Sequence, residues 1–226
     1  WSPDEFLELL PHKVSLSLEG RTVWVRVWKY KVSGVSGFDV PVYFLDTELP
    51  ENSSWDHEIT GQLYGGDAWY RLAQEVVLGI GGVRMLTALG HTSIRKYHLN
   101  EGHSAFLAVE LLAIFSDEEN PLNIVRDHCV FTTHTPVPAG HDVFPADFVT
   151  RMIGDVPFVV SELMKTGVLN MTVLGLTLSK YVNGVAQRHG EISRGMFPGY
   201  PIDSITNGVH STSWVGVEWK EVFDKY

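Results

Sequence analysis

Segments of strand length alternate with segments of helix length along much of the chain, and this order constrains the fold more than any other feature. The predicted strands are 96–99, 128–133 and 204–206, and the predicted helices are 67–89, 104–115, 170–182 and 184–193. Strands that alternate with helices at this spacing form βαβ units and a mainly parallel sheet. The sequence therefore predicts an α/β fold with a Rossmann-like, mainly parallel sheet and flanking helices.

The N-terminal part of the chain has a different pattern. Apolar and other residues alternate from Val14 to Val32 around a turn at Glu19-Gly20-Arg21, which predicts a β-hairpin. The run 40–46 is apolar nearly throughout and predicts a buried strand. We therefore expect a β-rich part over residues 1–60 and an α/β part over 61–226.

Composition limits the partners and the compartment. The chain has 226 residues, a net charge of −10 and one cysteine, Cys129. An acidic chain without basic blocks is a poor partner for nucleic acid or for an anionic membrane surface, and no apolar run approaches the ~20 residues of a membrane span. With one cysteine no intrachain disulfide is available, so we expect a cytoplasmic protein. The chain opens at Trp1 without a signal-peptide pattern, and we expect it to begin within a longer protein.

Three polar segments follow predicted strands. They are 100–103, 134–142 and 207–210. Because ligands bind beyond the carboxyl ends of strands in open parallel sheets, these segments predict a binding site at one edge of the sheet. The candidate side chains are those of Asn100, Glu101, His103, His134 and Asn207.

Structural roles remain open for these residues. Asn100 or Ser104 fits a helix N-cap, and Glu101 fits the favourable end of a helix dipole. His134 follows an apolar strand, as a hydrogen-bonded structural histidine would. Asn207 begins an Asn-Gly pair that is common in turns.

The sequence bears differently on three other kinds of site. The histidines and Cys129 lack the HExxH or CxxC spacing of a metal site, so we predict no metal. Glu101 and Asp142 could act as the carboxylate pair of a glycosidase, which requires a separation of about 5 to 9.5 Å. The glycines at 79, 81 and 82 lie inside a helical pattern and do not form a dinucleotide fingerprint. We expect close packing against a neighbour to explain them.

Several segments together resemble the α-glucan (glycogen, starch and maltodextrin) phosphorylase family, and their sequences are most similar to its short bacterial and archaeal branch. The segments are Leu63-Tyr64-Gly65-Gly66-Asp67, Tyr70-Arg71-Leu72-Ala73-Gln74-Glu75, Tyr97-His98-Leu99-Asn100-Glu101-Gly102-His103, Phe131-Thr132-Thr133-His134-Thr135-Pro136-Val137-Pro138, Val182-Asn183-Gly184-Val185-Ala186 and Thr206-Asn207-Gly208-Val209. They occur in the order that the family shows.

The resemblance implies a two-domain GT-B glycosyltransferase, of which residues 1–226 form an incomplete N-terminal, glucan-side domain. The implied reaction is attack of inorganic phosphate on α-1,4-glucan to give glucose 1-phosphate. The implied cofactor is pyridoxal phosphate, whose lysine belongs to a C-terminal domain that is absent from this chain. We therefore expect the isolated chain to be inactive, and the resemblance is compatible with a homo-oligomer.

The resemblance also implies roles for individual residues. In similar enzymes the match to His134 lies beside the glucosyl ring, with its carbonyl near the developing positive charge and its ring at the 6-hydroxyl. The catalytic residue expected here is thus His134, and the substrate-binding residues expected are Asn207, Asp67, Glu101, His103 and Asn100. Asp67 matches a gating loop, although Gly65 and Gly66 replace part of the polar run seen in the animal enzymes.

Two other functions remain as alternatives. A glycogen or starch synthase-like glycosyltransferase would share the fold but use a nucleotide sugar. A non-catalytic glucan-binding module would stack aromatic side chains on sugars, although such aromatics are more often part of a core. The candidate aromatics are Trp24, Trp28, Trp55 and Trp69.

Overall fold

A computed structural model describes residues 2–34, 36–63, 65–210 and 214–225 of the chain. Within these residues the strands form a three-stranded antiparallel sheet, a four-stranded sheet and a two-stranded hairpin. Helices flank the four-stranded sheet, which is parallel throughout. The α/β, Rossmann-like fold with an N-terminal β-hairpin is therefore confirmed.

The N-terminal sheet contains strands β1 (Glu8–Leu18), β2 (Arg21–Ser33) and β3 (Asp39–Asp46) in sequential antiparallel order. Glu19 and Gly20 both have positive φ, at 51° and 74°, as a two-residue hairpin turn requires. The alternating apolar residues do face the core, because Leu16 and Val23 pair across the strands and both are buried. The predicted hairpin is thus confirmed. The strand predicted at 40–46 matches β3, but the prediction that it is buried is wrong, because β3 lies at the edge of its sheet and its residues are exposed or half-buried.

The parallel sheet has the order β4-β5-β8-β9. Its strands are β4 (Tyr97–Asn100), β5 (Cys129–Thr133), β8 (Tyr181–Gly184) and β9 (Asp203–Ser204). A short antiparallel pair, β6 (Val143–Pro145) and β7 (Val168–Asn170), lies between β5 and β8 in the chain. The central strands β5 and β8 are mostly buried, as expected for a sheet that is covered on both faces.

The described residues contain helices of four to ten residues. In chain order they are α1 (Ser54–His57), α2 (Ala68–Val76), α3 (Gly82–Ala88), α4 (Phe106–Ile114), α5 (Pro121–His128), α6 (Ala146–Ile153), α7 (Phe158–Leu163), α8 (Met171–Thr177), α9 (Gln187–Met196) and α10 (Val217–Lys225). No helix among the described residues has the length and apolar character that crossing a membrane requires.

The predicted helix at 67–89 is interrupted. A π-helical turn, Val77–Gly81, separates α2 from α3. A Cβ placed on Gly79 would lie 2.6 Å from the backbone nitrogen of Leu107, so close packing explains this glycine. At Gly82 an added Cβ would meet nothing within 4 Å, so the same explanation is wrong there.

Two predicted helices have wrong boundaries. The helix predicted at 170–182 ends at Thr177, and Tyr181–Gly184 forms β8 instead. A short apolar run fits either a helix or a buried strand. Here the N–H of Lys180 donates to the carbonyls of Arg126 and Cys129, and these bonds to the start of β5 place the following residues beside that strand. The helix predicted at 184–193 is shifted to Gln187–Met196. The sequence analysis did not predict α1, α5, α6, α7 and α10 or the β6–β7 pair.

One hydrophobic core joins the two larger sheets. Leu16 and Val25 of the N-terminal sheet belong to the same buried cluster as Phe106 of α4, Phe131 of β5 and Leu174 of α8. Because the core fixes α4 and α8 against the strands, the loops at the carboxyl edge of the parallel sheet are held by a packed base.

Candidate functional site

The polar segments predicted at strand ends do meet at one edge of the parallel sheet. The strand ends are in register, because Asn100 pairs with Thr132, Thr133 with Gly184, and Gly184 with Ser204. The next residues remain hydrogen-bonded across the edge. The N–H of Glu101 donates to the carbonyl of Thr132 at 2.9 Å, and the N–H of Asn207 donates to that of Val185 at 3.0 Å. The structure thus brings Glu101, His134 and Asn207 to the carboxyl edge.

The carboxylate of Glu101 binds the chain that leaves β5. Its Oε1 atom accepts the backbone N–H of His134 and, at 2.8 Å, the backbone N–H of Thr135. The hydroxyl of Thr133 donates to the same oxygen at 3.3 Å. We call this arrangement of Glu101 with residues 133–135 the amide cradle. It fixes the backbone at His134, whose side chain is half-buried.

The backbone of Glu101 is strained. Its φ is 67° and its ψ is 178°, a conformation that is essentially restricted to glycine. A non-glycine residue in such a region costs about 1–3 kcal/mol and persists only where the surroundings impose it. The hydrogen bonds from residues 133–135 are the interactions that hold the Glu101 side chain here.

A second polar group lies beside this edge. The guanidinium of Arg71 donates to Oδ2 of Asp142 at 2.5 Å, and Nδ1 of His103 lies 3.2 Å from the same oxygen. The carboxylate of Glu75 is 3.8 Å from Nδ1 of His103, which is beyond hydrogen-bond distance. We call these four residues the charged cluster.

Mutual attraction and burial shift the pKa values in the charged cluster. The hydrogen bond to Asp142, with a smaller contribution from Glu75, raises the pKa of His103 to about 9. Burial opposes ionisation of Asp142, but the hydrogen bonds from His103 and Arg71 hold its pKa well below the usual range. Burial raises the pKa of Glu75 to about 7, because the residue is only 4% exposed; His103 opposes this shift and the charge of Asp142 adds to it.

The charged cluster contains three possible metal ligands. One ligand atom each from Glu75, His103 and Asp142 lie within 4.8 Å of one another. The Oδ2 atom of Asp142 is already shared by Arg71 and His103, so the anionic charge there is matched by side-chain cations. The absence of a metal therefore stays a prediction.

The charged cluster forms the polar end of a cavity. The cavity has a volume of about 380 Å³ and lies between β3 and α2, with Tyr43 and Leu78 in its wall. Arg71, Glu75 and His103 line the same space. The buried carboxyl group of Glu75 is thus close to an apolar surface, which is consistent with its raised pKa.

The remaining predicted residues lie in different surroundings. Asn100 ends β4 with an exposed side chain, and Asn207 is also exposed. Asp67 is the N-cap of α2, where its carboxylate accepts the N–H of Tyr70 at 2.9 Å. Neither the turn at Gly102–Ser104 nor α4 has a side-chain cap, so the capping role considered for Asn100 and Ser104 is wrong.

The carboxylate pair considered for a hydrolase is engaged elsewhere. Glu101 accepts backbone donors of the amide cradle, whereas Asp142 accepts from Arg71 and lies beside His103. Each carboxylate therefore has its own set of partners. This arrangement disfavours a glycosidase mechanism, in which both carboxylates would act at one reacting centre.

Sequence reasoning missed Arg71 and Glu75. Both lie on α2 with a spacing of four residues, which places their side chains on the same face of the helix. The buried Leu72 and Val76 come one residue later in each case and lie on the neighbouring face, about 100° round the helix. The i, i+4 spacing of opposite charges was the available signal.

The aromatic side chains suggested for sugar stacking contact the protein itself. Trp28 is 8% exposed, and its ring nitrogen donates to Asp46 at 2.8 Å. The ring of Trp69 lies edge-on to Phe148 with 5.2 Å between centroids, and Trp55 approaches Tyr70 in the same way at 6.4 Å. Packing accounts for Trp28 and Trp69, whereas Trp24 and Trp55 remain 37% and 38% exposed.

The fold and the polar edge define an α/β protein of the class that binds ligands beyond the carboxyl ends of parallel strands. The chain is 36% identical over 233 residues to a glycogen phosphorylase from Mycobacterium tuberculosis, covering 87% of the chain and 26% of that protein. It is 35% identical over 235 residues to a maltodextrin phosphorylase from Thermococcus litoralis, covering 96% and 28%, respectively. A glycogen phosphorylase from Aquifex aeolicus is 31% identical over 249 residues, covering 97% and 36%.

These similarities confirm the resemblance to phosphorylases: the chain matches a fragment of that family. No family model matches the chain. The chain spans about a quarter to two-fifths of the length of the curated relatives it matches, with coverage between 26% and 42%.

Proposed function

We propose that this chain is part of an α-1,4-glucan phosphorylase, a glycosyltransferase that transfers terminal glucosyl units to inorganic phosphate and forms glucose 1-phosphate. The observation that carries the proposal is the similarity of 87–97% of the chain to proteins named glycogen or maltodextrin phosphorylase. In this proposal residues 1–226 belong to the glucan-side domain of a GT-B architecture. A cytoplasmic location and a homo-oligomer are further parts of the proposal.

His134 is the proposed catalytic residue. It follows β5 at the carboxyl edge, is half-buried, and has a backbone that the amide cradle holds. A carbonyl dipole fixed in place before the reaction stabilises a developing positive charge without the cost of reorienting. Asn207 follows β9 on the same edge with an exposed side chain, which suits a hydrogen bond to the sugar.

The described residues do not fit a pyridoxal phosphate lysine. All lysine side chains among them are exposed, except that of Lys29, which is half-buried in the N-terminal sheet and 3.3 Å from Glu8. A cofactor lysine needs a buried setting that depresses its pKa and excludes water. We therefore expect the isolated chain to be inactive.

The test is formation of glucose 1-phosphate from maltodextrin and phosphate by the full-length protein that contains this chain. His134→Ala and Asn207→Ala should each lose about 2–4 kcal/mol of transition-state stabilisation, which is a loss of ~30- to 1,000-fold in kcat/KM. His91→Ala is the matched control, because His91 is exposed and contacts Tyr43 away from this edge. Its activity should stay near that of the wild type.

Three outcomes would contradict the proposal. Near-normal activity of both His134→Ala and Asn207→Ala would refute their roles. Transfer from a nucleotide sugar without phosphorolysis would instead indicate a synthase-like enzyme. Glucan binding with no turnover in the full-length protein would indicate a binding module.

A further inference from the structure

We infer that Glu101 is a positioning residue: it sets the direction of the His134 carbonyl through the neighbouring N–H of Thr135 and does not itself bind the sugar. The inference rests on the proposed function, because that function places the His134 carbonyl beside the reacting glucosyl unit. It also revises the substrate-binding role expected for Glu101.

The geometry of the peptide bond connects the two residues. The carbonyl of His134 and the N–H of Thr135 belong to one peptide group, and the described chain contains no cis peptide bond. In a planar trans peptide the C=O and N–H bonds point in opposite directions. Because the N–H of Thr135 donates to Oε1 of Glu101 at 2.8 Å, the carbonyl of His134 points away from that carboxylate.

Two further bonds restrict the same segment. The N–H of His134 donates to the same Oε1 atom, and the hydroxyl of Thr133 lies 3.3 Å from it. Consecutive N–H groups that converge on one oxygen fix two adjacent peptide planes. Hydrogen bonds to an ionised acceptor are about twice as strong as those between neutral groups, so a carboxylate suits this task better than an amide or a hydroxyl.

The backbone conformation of Glu101 supports a specific requirement for this side chain. A glycine would adopt φ 67° and ψ 178° without strain, yet position 101 carries glutamate. The immediately following Gly102 is also restricted, since an added Cβ would lie 3.0 Å from the Cβ of Met171. The chain is therefore held close to α8 while the Glu101 side chain turns towards β5.

The experiment compares Glu101→Ala and Glu101→Gln in the full-length protein. Glutamine keeps one acceptor oxygen, whereas alanine leaves both N–H groups without this partner. We expect kcat to fall ~100-fold for Glu101→Ala and only ~10-fold for Glu101→Gln, while the KM values for maltodextrin and phosphate change less than ~3-fold. Glu118→Ala, at an exposed glutamate between α4 and α5, is the control.

Hydrogen exchange measured by mass spectrometry on residues 131–137 without substrate gives a second readout. The amides of His134 and Thr135 should exchange faster in Glu101→Ala, with partial recovery in Glu101→Gln. Unchanged exchange would overturn the inference. A rise in KM at constant kcat would also overturn it, because that result indicates direct sugar binding. If the wild-type protein forms no glucose 1-phosphate, the proposed function fails, whereas the exchange data still decide whether Glu101 holds the loop.

Discussion

The amide cradle and the charged cluster hold their carboxylates by different means. Glu101 accepts neutral backbone and hydroxyl donors, whereas Asp142 is balanced by the cations His103 and Arg71. Backbone amides do not titrate in the physiological range, so the amide donors of the cradle do not change with pH. The charged cluster instead depends on the protonation states of His103 and Glu75. The cradle therefore suits a loop whose geometry must be constant, and the cluster makes stability depend on pH.

We expect the largest difference between the two regions when one carboxylate in each is neutralised. Asp142→Asn leaves the cations of His103 and Arg71 facing an uncharged group, and we expect a loss of about 3 kcal/mol in the free energy of unfolding. Glu101→Gln retains an acceptor oxygen and should lose about 1 kcal/mol. Urea unfolding of the two variants measures both values. Equal losses would show that charge balance does not distinguish the two regions.

The two regions should also differ in how their contribution to stability depends on pH. The pKa values of Glu75 and His103 are raised to about 7 and about 9 in the folded protein, from ordinary values of 4.5 and 6.5. The folded state therefore binds protons more tightly at both groups. Their stabilising contributions are complete below pH 4.5 and 6.5, respectively, and are lost as the pH rises through 7 and 9.

We expect the free energy of unfolding to fall by on the order of 2 kcal/mol between pH 5 and pH 9, chiefly through these two groups. Urea titrations at intervals of pH measure the decline. In Glu75→Gln the part of the decline near pH 7 should disappear, while Glu101→Gln should retain the wild-type profile. A wild-type profile in Glu75→Gln would contradict the assignment.

The smallest effect concerns the start of α2, which carries Arg71 and Glu75. Asp67→Ala removes the side-chain cap of this helix and should cost about 1 kcal/mol. Asp67→Asn keeps a capping oxygen and should remain within about 0.3 kcal/mol of the wild type. Thermal unfolding distinguishes the two variants. A large loss of activity in Asp67→Asn at unchanged stability would show that Asp67 also contacts a substrate.

Local periodicity predicted those parts of the fold whose burial follows a simple repeat. Burial alternates from Leu16 to Val27 around the hairpin turn of β1 and β2, and β5 is a short apolar strand with a neighbouring strand on each side. The boundary at Tyr181 could not be predicted in this way, because the apolar residues from Met171 to Val182 fit either a helix or a strand. Pairing with β5, a partner about 50 residues away, decides the outcome there.

The candidate site was predictable only where it follows strand ends. Glu101, His134 and Asn207 are next to strands whose carboxyl ends share one edge, so the order of elements predicted their proximity. The charged cluster combines α2 with the segments that follow β4 and β5. The proximity of these segments cannot be predicted from residue spacing, because it depends on how α2 packs against the sheet.

The π-helical turn at Val77–Gly81 fixes the number of residues between α2 and α3. A π turn accommodates one extra residue, and each residue of an α-helix advances the side-chain direction by about 100°. The extra residue lets α2 present Arg71 and Glu75 to the site while α3 packs on β1 and α4. In a related chain that lacks one residue here, either α2 or α3 would have to rotate about the helix axis. We therefore expect a one-residue deletion within 77–81 to be accompanied by a rearranged charged cluster or by altered packing against β1.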